Sequence, residues 1–206
     1  MKIIEDIEQG SQEWIDLRLG KVTASRVKDI MTNGRGGSIS KTSETYMMDL
    51  IAERLTGETK PFFENDAIRW GNDNEPAARA MFEIKEGLEV REVAYIQHSE
   101  YVGMSPDGLV GDDALIEIKC PNTTTQIKRA LSGSYSEDYK AQIQMQLWVS
   151  GRSKCYFLSF DPRLDCDAGY LLEVVERDEE YIAEMESRVS AFVEKMNDIV
   201  EKLESK

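Results

Sequence analysis

The sequence predicts an α/β fold in which a small mixed β-sheet is flanked by helices. Apolar residues recur at helical spacing through much of residues 11–86 and again from Asp178 onward. Between these regions lie short apolar runs with the length of strands, and one helical segment separates two of them. The chain has 206 residues, of which 41% are apolar, enough for one substantial core. We therefore predict a single domain over residues 1–206.

The N-terminal part is predicted to be helical because capping residues precede its apolar stripes. Ser11 and Thr23 are suitable N-caps, and Ser43 opens a third helix. Pro76 lies near the start of a fourth helix, at its first turn or at a kink. The predicted helices cover residues 12–19, 24–31, 43–56 and about 72–86, and residues 33–37 form a glycine-rich loop.

The rest of the chain is predicted to supply the sheet and a closing helix. Strands are expected at residues 90–97, 101–104, 115–119, 154–160 and 170–175, with a helix over 138–149 between the third and the fourth. The last helix carries one apolar stripe, at Tyr181, Met185, Val189, Phe192, Met196, Ile199 and Leu203. This stripe can bind a partner, but packing against the chain's own sheet is favoured.

Composition excludes several kinds of site. There is no run of 18 apolar residues, so no membrane span is expected, and an acidic start without a signal-peptide core predicts a cytoplasmic protein. Cys120, Cys155 and Cys166 lack C-x-x-C spacing and are expected to be reduced thiols. His98 is the only histidine, which excludes two-histidine metal sites and most catalytic triads. Any bound metal must therefore depend on carboxylates.

The charge is negative overall but unevenly distributed. The net charge is −14, and residues 173–206 alone carry −6. Residues 32–43, by contrast, contain Arg35 and Lys41 and no acidic residue. An acidic exterior with a local basic channel fits an enzyme that holds DNA without adhering to it, although an acidic surface that serves solubility explains the tail equally well.

The most informative motif is Pro106-Asp107 followed by Glu117-Ile118-Lys119. Gly111 with the two aspartates after it forms a turn between them, so Asp107 is expected to meet Glu117 across a hairpin. Glu117 and Lys119 are two residues apart on a strand and therefore point to the same face.

The chemistry of this motif fits magnesium-dependent cleavage of a phosphodiester. Mg²⁺ is typically held by one or two carboxylates, waters and substrate phosphate, and Asp107 and Glu117 supply the carboxylates. The backbone carbonyl of Ile118 is a candidate third ligand. Lys119 can orient a bound water and favour its deprotonation. The alternative is a surface hairpin whose charged side chains are merely solvated.

Four further segments, taken in order, resemble a known family. They are Glu13–Gly20 with Thr23-Ala24-Ser25, then Trp70-Gly71 with Glu75, then Met104–Gly108 with Glu117–Pro121, and last Ala141–Trp148. This order resembles the phage-type alkaline exonucleases of the YqaJ-like group, which includes the exonuclease of bacteriophage lambda. The resemblance covers nearly the whole chain and implies the PD-(D/E)xK nuclease fold, with a restriction-endonuclease-like core.

The resemblance implies a role for each residue of the metal centre. Asp107, Glu117 and the Ile118 carbonyl are similar to the metal ligands, with Mg²⁺ as cofactor and Mn²⁺ as a substitute. Lys119 is similar to the lysine that activates water. Glu75 resembles a glutamate that approaches a second metal, where the alternative is a carboxylate that interacts with its helix dipole.

It also implies residues that contact DNA. Arg18 and Ser25 resemble a pocket for a terminal 5′-phosphate, although Arg18 can instead form a surface ion pair on its helix. Gln142 is expected to support Lys119 or contact the scissile region, with a polar helix face as the alternative. Ile68 stands where the family has an apolar wedge, or packs in the core, and Arg35 is expected to reach the strand in the channel.

The function that the resemblance implies is a metal-dependent 5′→3′ exonuclease on linear double-stranded DNA. It would prefer 5′-phosphorylated ends, release mononucleotides and leave a 3′ single strand for recombination. The expected partners are a DNA end, two further copies in a ring-shaped homotrimer, and a single-strand annealing protein in the bacterial host of a phage or prophage. Residues 122–125 lack a basic DNA contact that the family can carry. The alternatives are a RecB-like endonuclease and a non-catalytic scaffold that binds DNA ends.

Overall fold

A computed structural model describes residues 1–60 and 64–205 and confirms the α/β class. It contains two mixed sheets rather than one. The helices are α1 (Gln12–Arg18), α2 (Val27–Met31), α3 (Lys41–Thr56), α4 (Asp66–Glu86), α5 (Thr123–Ser132), α6 (Lys140–Ser150) and α7 (Glu179–Glu204). The strands are β1 (Lys2–Ile4), β2 (Val22–Thr23), β3 (Val90–Arg91), β4 (Tyr95–Gln97), β5 (Val102–Met104), β6 (Gly108–Val110), β7 (Ala114–Lys119), β8 (Lys154–Phe160) and β9 (Tyr170–Glu176).

The larger sheet has the strand order β3-β6-β7-β8-β9. Its only parallel pair is β7 and β8, which are connected through α5 and α6, and the other pairs are antiparallel. The smaller sheet has the order β1-β4-β5-β2. Because β7 and β8 are parallel, their carboxyl ends meet at one edge of the sheet, and Lys119 pairs with Ser159 there.

Hydrophobic cores cover both faces of the larger sheet. On one face, Leu115 and Phe157 pack with buried residues of α2, α3, α6 and α7. On the other face, Ile116 and Leu158 pack against Ala78 and Phe82 of α4 and their neighbours. Alternation along β7 therefore turns Glu117, like Leu115, toward α6.

The closing helix packs on the chain itself, as favoured, but mainly against α2, α3 and α6 rather than directly on a sheet. Met185, Val189, Phe192 and Met196 of α7 are buried in the first of these cores. No helix in residues 1–60 or 64–205 is both long and apolar enough to cross a lipid bilayer. The three cysteines are free, and His98 stacks against Trp148 with ring centroids 4.7 Å apart.

Several predicted boundaries were wrong. The strand predicted over residues 90–97 is split between the two sheets, because side chains from the N-terminal segment occupy its central carbonyls. Gln9 Nε2 donates to the Val93 carbonyl at 3.0 Å, and Trp14 Nε1 donates to the Ala94 carbonyl at 3.1 Å. α5, β1 and β2 were not predicted at all.

The helix starts also differ from the prediction. α3 begins two residues earlier, since Ser40 accepts the capping bond, from the Ser43 amide at 3.1 Å. Thr23 makes no side-chain cap, and a 3₁₀ turn over Ala24–Arg26 precedes α2. α4 starts at Asp66 and runs through Pro76 to Glu86.

Candidate active site

The β6–β7 hairpin brings Asp107 opposite Glu117. Gly108 pairs with Ile116 in antiparallel register, so Asp107, the residue before Gly108, lies across from Glu117. The Asp107 Oδ2 accepts a bond from the Ile118 amide at 2.6 Å, which ties the two halves of the motif together. The contact to Ile118 therefore uses its N–H group rather than its carbonyl.

Glu117 is a nearly inaccessible carboxylate with three polar partners. Its side chain is 1% exposed. Gln142 Nε2 donates to Oε1 at 2.6 Å, and Gln146 Nε2 donates to Oε2 at 2.6 Å. Lys119 forms an ion pair with Oε1. These donors compensate the cost of removing a charged carboxylate from water.

Lys119 remains a cation in this environment. Burial by itself lowers the pKa of the Lys119 ammonium, but the adjacent Glu117 and Asp107 outweigh burial, and the net pKa is raised. The ammonium also lies 5.3 Å from the centre of the Tyr139 ring. The Lys119 ammonium can therefore donate hydrogen bonds to an anionic oxygen.

Burial favours the neutral form of the Asp107 carboxyl, whereas the surroundings of Lys119 favour its charged form. Burial and then the nearby Glu117 raise the pKa of the Asp107 carboxyl well above its ordinary value, although Lys119 partly counteracts them. Glu75 contributes to the same increase. The centre thus contains more negative charge than its single ammonium neutralises, and a divalent cation would relieve that excess.

Glu75 reaches this centre from α4. Burial raises the pKa of the Glu75 carboxyl, while Arg79 and Lys119 lower it. Arg79 donates to Glu75 Oε1 at 2.8 Å and to Glu92 Oε2 at 2.7 Å, and it is the contact that orients the Glu75 side chain. The alternative that Glu75 serves only its helix dipole is not favoured, because the residue lies ten positions into α4.

The donor chemistry fits Mg²⁺ better than a soft metal. Among residues 1–60 and 64–205, no three His, Cys, Asp or Glu side chains converge as a complete ligand set. Mg²⁺ does not require one, since it usually keeps several waters and takes only one or two carboxylates. Burial, followed by Glu75 and Asp107, raises the pKa of the Cys120 thiol to about 12, so that it offers no thiolate.

Arg18 lies beside the strand that leads to Asp107. Its Nη1 donates to Ser105 Oγ at 3.1 Å, and its guanidinium carbon lies 4.1 Å from the Trp14 ring centre. Trp14 Nε1 donates to the same hydroxyl at 2.8 Å. Ser105 therefore links Arg18 to Asp107, two residues away.

The other predicted DNA contacts are more dispersed. Ser25 is exposed, and its recorded contact is with Thr23, Oγ to Oγ1 at 3.4 Å, rather than with Arg18. Arg35 is exposed in a 3₁₀ turn. Ile68 lies partly exposed in the first turn of α4 and belongs to neither core, which disfavours the packing alternative.

Three residues of this region were missed from the sequence. Gln146 could have been found because it lies one helical turn after Gln142 and so shares its face. Arg79 stands four residues after Glu75, the spacing of a helical ion pair. Ser105 had no signal of its own beyond its closeness to Asp107.

Comparison with known proteins identifies the family. The family model described as YqaJ-like viral recombinase domain matches residues 13–153 of the chain. This chain belongs to the YqaJ-like family. The match spans α1 to α6 and the whole Asp107–Lys119 motif, so the resemblance expected from the sequence is confirmed.

Relatives of this YqaJ-like protein include solved structures. The alkaline exonuclease LHK-Exo from Laribacter hongkongensis is 44% identical, with a TM-score of 0.87 over 95% of this chain and 97% of that one. LHK-Exo has also been solved in complex with dAMP. A phage-related exonuclease from Haemophilus somnus 129PT shares the fold, with a TM-score of 0.69 at 18% identity over 89% of this chain and 96% of that one.

A more distant relative is an uncharacterized protein of Acanthamoeba polyphaga mimivirus. It is 26% identical over 176 residues, which are 77% of this chain. The matched region is only 30% of the mimivirus protein's length.

Proposed function

We propose that this YqaJ-like protein is a metal-dependent 5′→3′ exonuclease that acts on linear double-stranded DNA. It prefers 5′-phosphorylated ends, releases 5′-mononucleotides and leaves a 3′ single strand for recombination by annealing. The observation that carries the proposal is the buried Glu117–Lys119 ion pair facing Asp107 at the carboxyl edge of β7. The similarity to an alkaline exonuclease over almost the whole chain supports it.

In this mechanism the carboxylates of Asp107 and Glu117 hold Mg²⁺, and Glu75 serves a second ion. When bound there, Mg²⁺, for which Mn²⁺ can substitute, would polarise a phosphoryl oxygen and lower the pKa of the attacking water. Lys119, which contacts Glu117 Oε1, would donate to that water and stabilise the hydroxide that forms. Gln142 donates to Glu117 Oε1, the same oxygen that Lys119 contacts, and so helps to hold the carboxylate in place.

Arg18 is proposed to bind the terminal 5′-phosphate together with Ser25. A guanidinium binds phosphate with two parallel bonds, and the Trp14 stack orients its plane. The bond to Ser105 holds this guanidinium beside the β5–β6 connection that carries Asp107, which suits an enzyme that removes one nucleotide at a time from an end. The complex of LHK-Exo with dAMP supports a mononucleotide product.

The remaining proposals concern assembly and DNA path. Ile68 separates the terminal base pair, and Arg35 contacts the strand in the channel. A homotrimeric ring encloses the DNA, and a single-strand annealing protein receives the 3′ strand. Of the alternatives, a RecB-like endonuclease does not need the Arg18 arrangement, and a non-catalytic scaffold does not need the buried Glu117–Lys119 pair.

The central test compares Glu117→Ala with the wild type on a 5′-phosphorylated duplex in Mg²⁺. The wild type is expected to release acid-soluble nucleotides, and the variant to lose at least about a hundredfold in rate while it still binds DNA, since the Glu117 carboxylate is proposed to bind the metal and not the DNA. End-labelled products give polarity and product size in the same assay. Equal digestion by both proteins would remove Glu117 from the mechanism.

The phosphate pocket is tested by Arg18→Ala on matched 5′-phosphate and 5′-hydroxyl duplexes. We expect a loss of roughly tenfold or more that is confined to the phosphorylated end, because a charge-assisted bond to phosphate is worth about 1.5–3 kcal/mol. An equal loss on both ends would reject the pocket.

A further inference from the structure

Gln146 is a second amide that holds the carboxylate of Glu117. Its side chain is 0% exposed, and Nε2 donates to Glu117 Oε2 at 2.6 Å. Gln142 donates to Oε1 at 2.6 Å from the same helix. The two glutamines are four residues apart on α6, so their side chains lie on one face, one turn apart.

The two oxygens of the Glu117 carboxylate have different hydrogen-bond donors. Oε1 is shared by Gln142 and the Lys119 ammonium. Within the described parts of the chain, Gln146 is the one recorded side-chain donor to Oε2. Without Gln142, Oε1 keeps its contact with Lys119. Without Gln146, a buried oxygen loses its donor, and both remaining contacts act on the opposite end of the carboxylate.

The carbonyl of the Gln146 amide shows what sets the position of this side chain. Over residues 1–60 and 64–205, Gln146 Oε1 is buried with no hydrogen-bond partner. A buried acceptor without a partner is unfavourable, so the carbonyl oxygen does not explain why the Gln146 side chain lies in this position. Exchanging its oxygen and nitrogen would bring two acceptors together, and the bond to Glu117 therefore fixes the orientation.

We propose that Gln146 is a positioning residue that fixes the plane of the Glu117 carboxylate for binding of the divalent cation. The proposal rests on the proposed function. Gln142 and Gln146 hold the two oxygens from one helix face, and this restricts rotation of the carboxylate about its Cγ–Cδ bond. Glu117 then keeps its remaining lone pairs directed toward Asp107 across the hairpin.

The same helix offers a matched control in Gln144. It is 1% exposed, its Nε2 donates to the Glu176 carbonyl at 2.9 Å, and its Oε1 accepts from the Asp178 amide at 2.8 Å. Gln144 is therefore a buried glutamine of the same length whose bonds join α6 to the start of α7 rather than to Glu117. Replacing either glutamine by methionine removes buried hydrogen bonds with little change in volume.

The experiment measures Mn²⁺ binding to the DNA-free protein by electron paramagnetic resonance, for the wild type, Gln146→Met and Gln144→Met, with melting temperatures alongside. Gln146→Met is expected to weaken Mn²⁺ binding about tenfold or more, as is typical for outer-shell partners of metal ligands. Gln144→Met is expected to lower the melting temperature but to leave Mn²⁺ affinity within about twofold of the wild type, since its bonds lie outside the outer shell. Wild-type affinity in Gln146→Met, or an equal loss in Gln144→Met, would overturn the proposal.

A double-mutant arm tests whether Gln146 acts through Glu117. In a Glu117→Gln background, adding Gln146→Met is expected to cause no further loss of Mn²⁺ affinity, and a further tenfold loss would show an independent role and reject the proposal. If Gln146→Met does not fold, Gln146→Asn, whose amide is one methylene too short to reach, is measured with the same two outcomes. A wild-type protein that binds Mn²⁺ but does not digest DNA would refute the proposed nuclease activity without contradicting the role of Gln146 in cation binding. A wild-type protein that does not bind Mn²⁺ would overturn that role.

Discussion

Glu117 occupies the interior of the protein as a charged side chain, and its neighbours make this tolerable. An isolated carboxylate in an apolar environment is strongly disfavoured, and an ion pair alone often does not repay the lost hydration. Here two neutral amides add to the Lys119 contact, so both oxygens of the carboxylate are bonded. Burial of this charged group is a poor way to stabilise the fold, which favours a chemical role for Glu117.

At the same scale, the Asp107 and Glu75 carboxyls predict a pH-dependent metal requirement. Their pKa values are raised, chiefly by burial, so protons compete with the cation for these oxygens. The Mg²⁺ concentration for half-maximal activity should therefore fall as pH rises. Nuclease activity measured over a series of Mg²⁺ concentrations at each pH gives this half-maximal concentration.

The control for this prediction is the rate at saturating Mg²⁺. It should vary less with pH than the rate at limiting Mg²⁺, because excess cation displaces the protons. A half-saturating concentration that stays constant across the range would contradict the assignment of these carboxylates to the metal.

At the scale of elements, the hairpin carrying the motif depends on a glycine. A Cβ at Gly108 would overlap Cγ1 of Val90 on the neighbouring strand and lie 3.3 Å from Cγ2 of Ile116. Gly108→Ala is therefore expected to destabilise the protein by about 1–3 kcal/mol through overpacking, because a valine side chain is stiff. Chemical denaturation measures the change.

Gly71 of α4 provides the comparison. It is helical, and a Cβ there meets nothing within 4 Å. Gly71→Ala should raise stability by roughly 0.5–1 kcal/mol, since glycine is the costlier residue in a helix interior. If Gly108→Ala and Gly71→Ala destabilise the protein equally, the close approach of β3 and β6 is not the reason that position 108 requires glycine.

The sequence predicted the elements whose signals are local and missed those that depend on tertiary contacts. The predicted bounds of β8 match the structure, because residues 155–158 form a continuous apolar run typical of a central strand. α5 contains three consecutive threonines, which favour strands. It forms because Asn122 caps it, accepting from the Thr125 amide at 2.9 Å, and because Gln126 bonds the buried Ser159.

In the candidate site, too, the sequence predicted the residues with local signals and missed those that depend on tertiary contacts. Asp107, Glu117 and Lys119 could be brought together from sequence, because hairpin register and strand alternation follow from spacing. Spacing places Gln146 on the same helix face as Gln142, but its bond to Glu117 could not be assigned, since Glu117 belongs to a strand 29 residues earlier and the packing of α6 on β7 decides the contact. Arg79 required knowledge of where Glu92 lies, which the division of residues 90–97 between two sheets determines.

At the scale of the whole molecule, the charge distribution restricts how DNA can approach. The net charge is −14, and residues 173–206, mostly α7, carry −6 of it. DNA is repelled by that surface, so binding must depend on a confined set of cations near the site. A single chain with so few available cations would release its substrate readily after each cut.

The proposed homotrimer resolves this difficulty, and it makes a prediction of its own. A closed ring retains DNA by topology rather than by affinity, so digestion should continue through many nucleotides when excess unlabelled duplex is added after initiation. Size-exclusion chromatography with light scattering should then give a mass of about three chains of 23.4 kDa each. A single-chain mass combined with immediate arrest by the competitor would exclude the ring, because a monomer must rebind after each cut and would be captured by the added DNA.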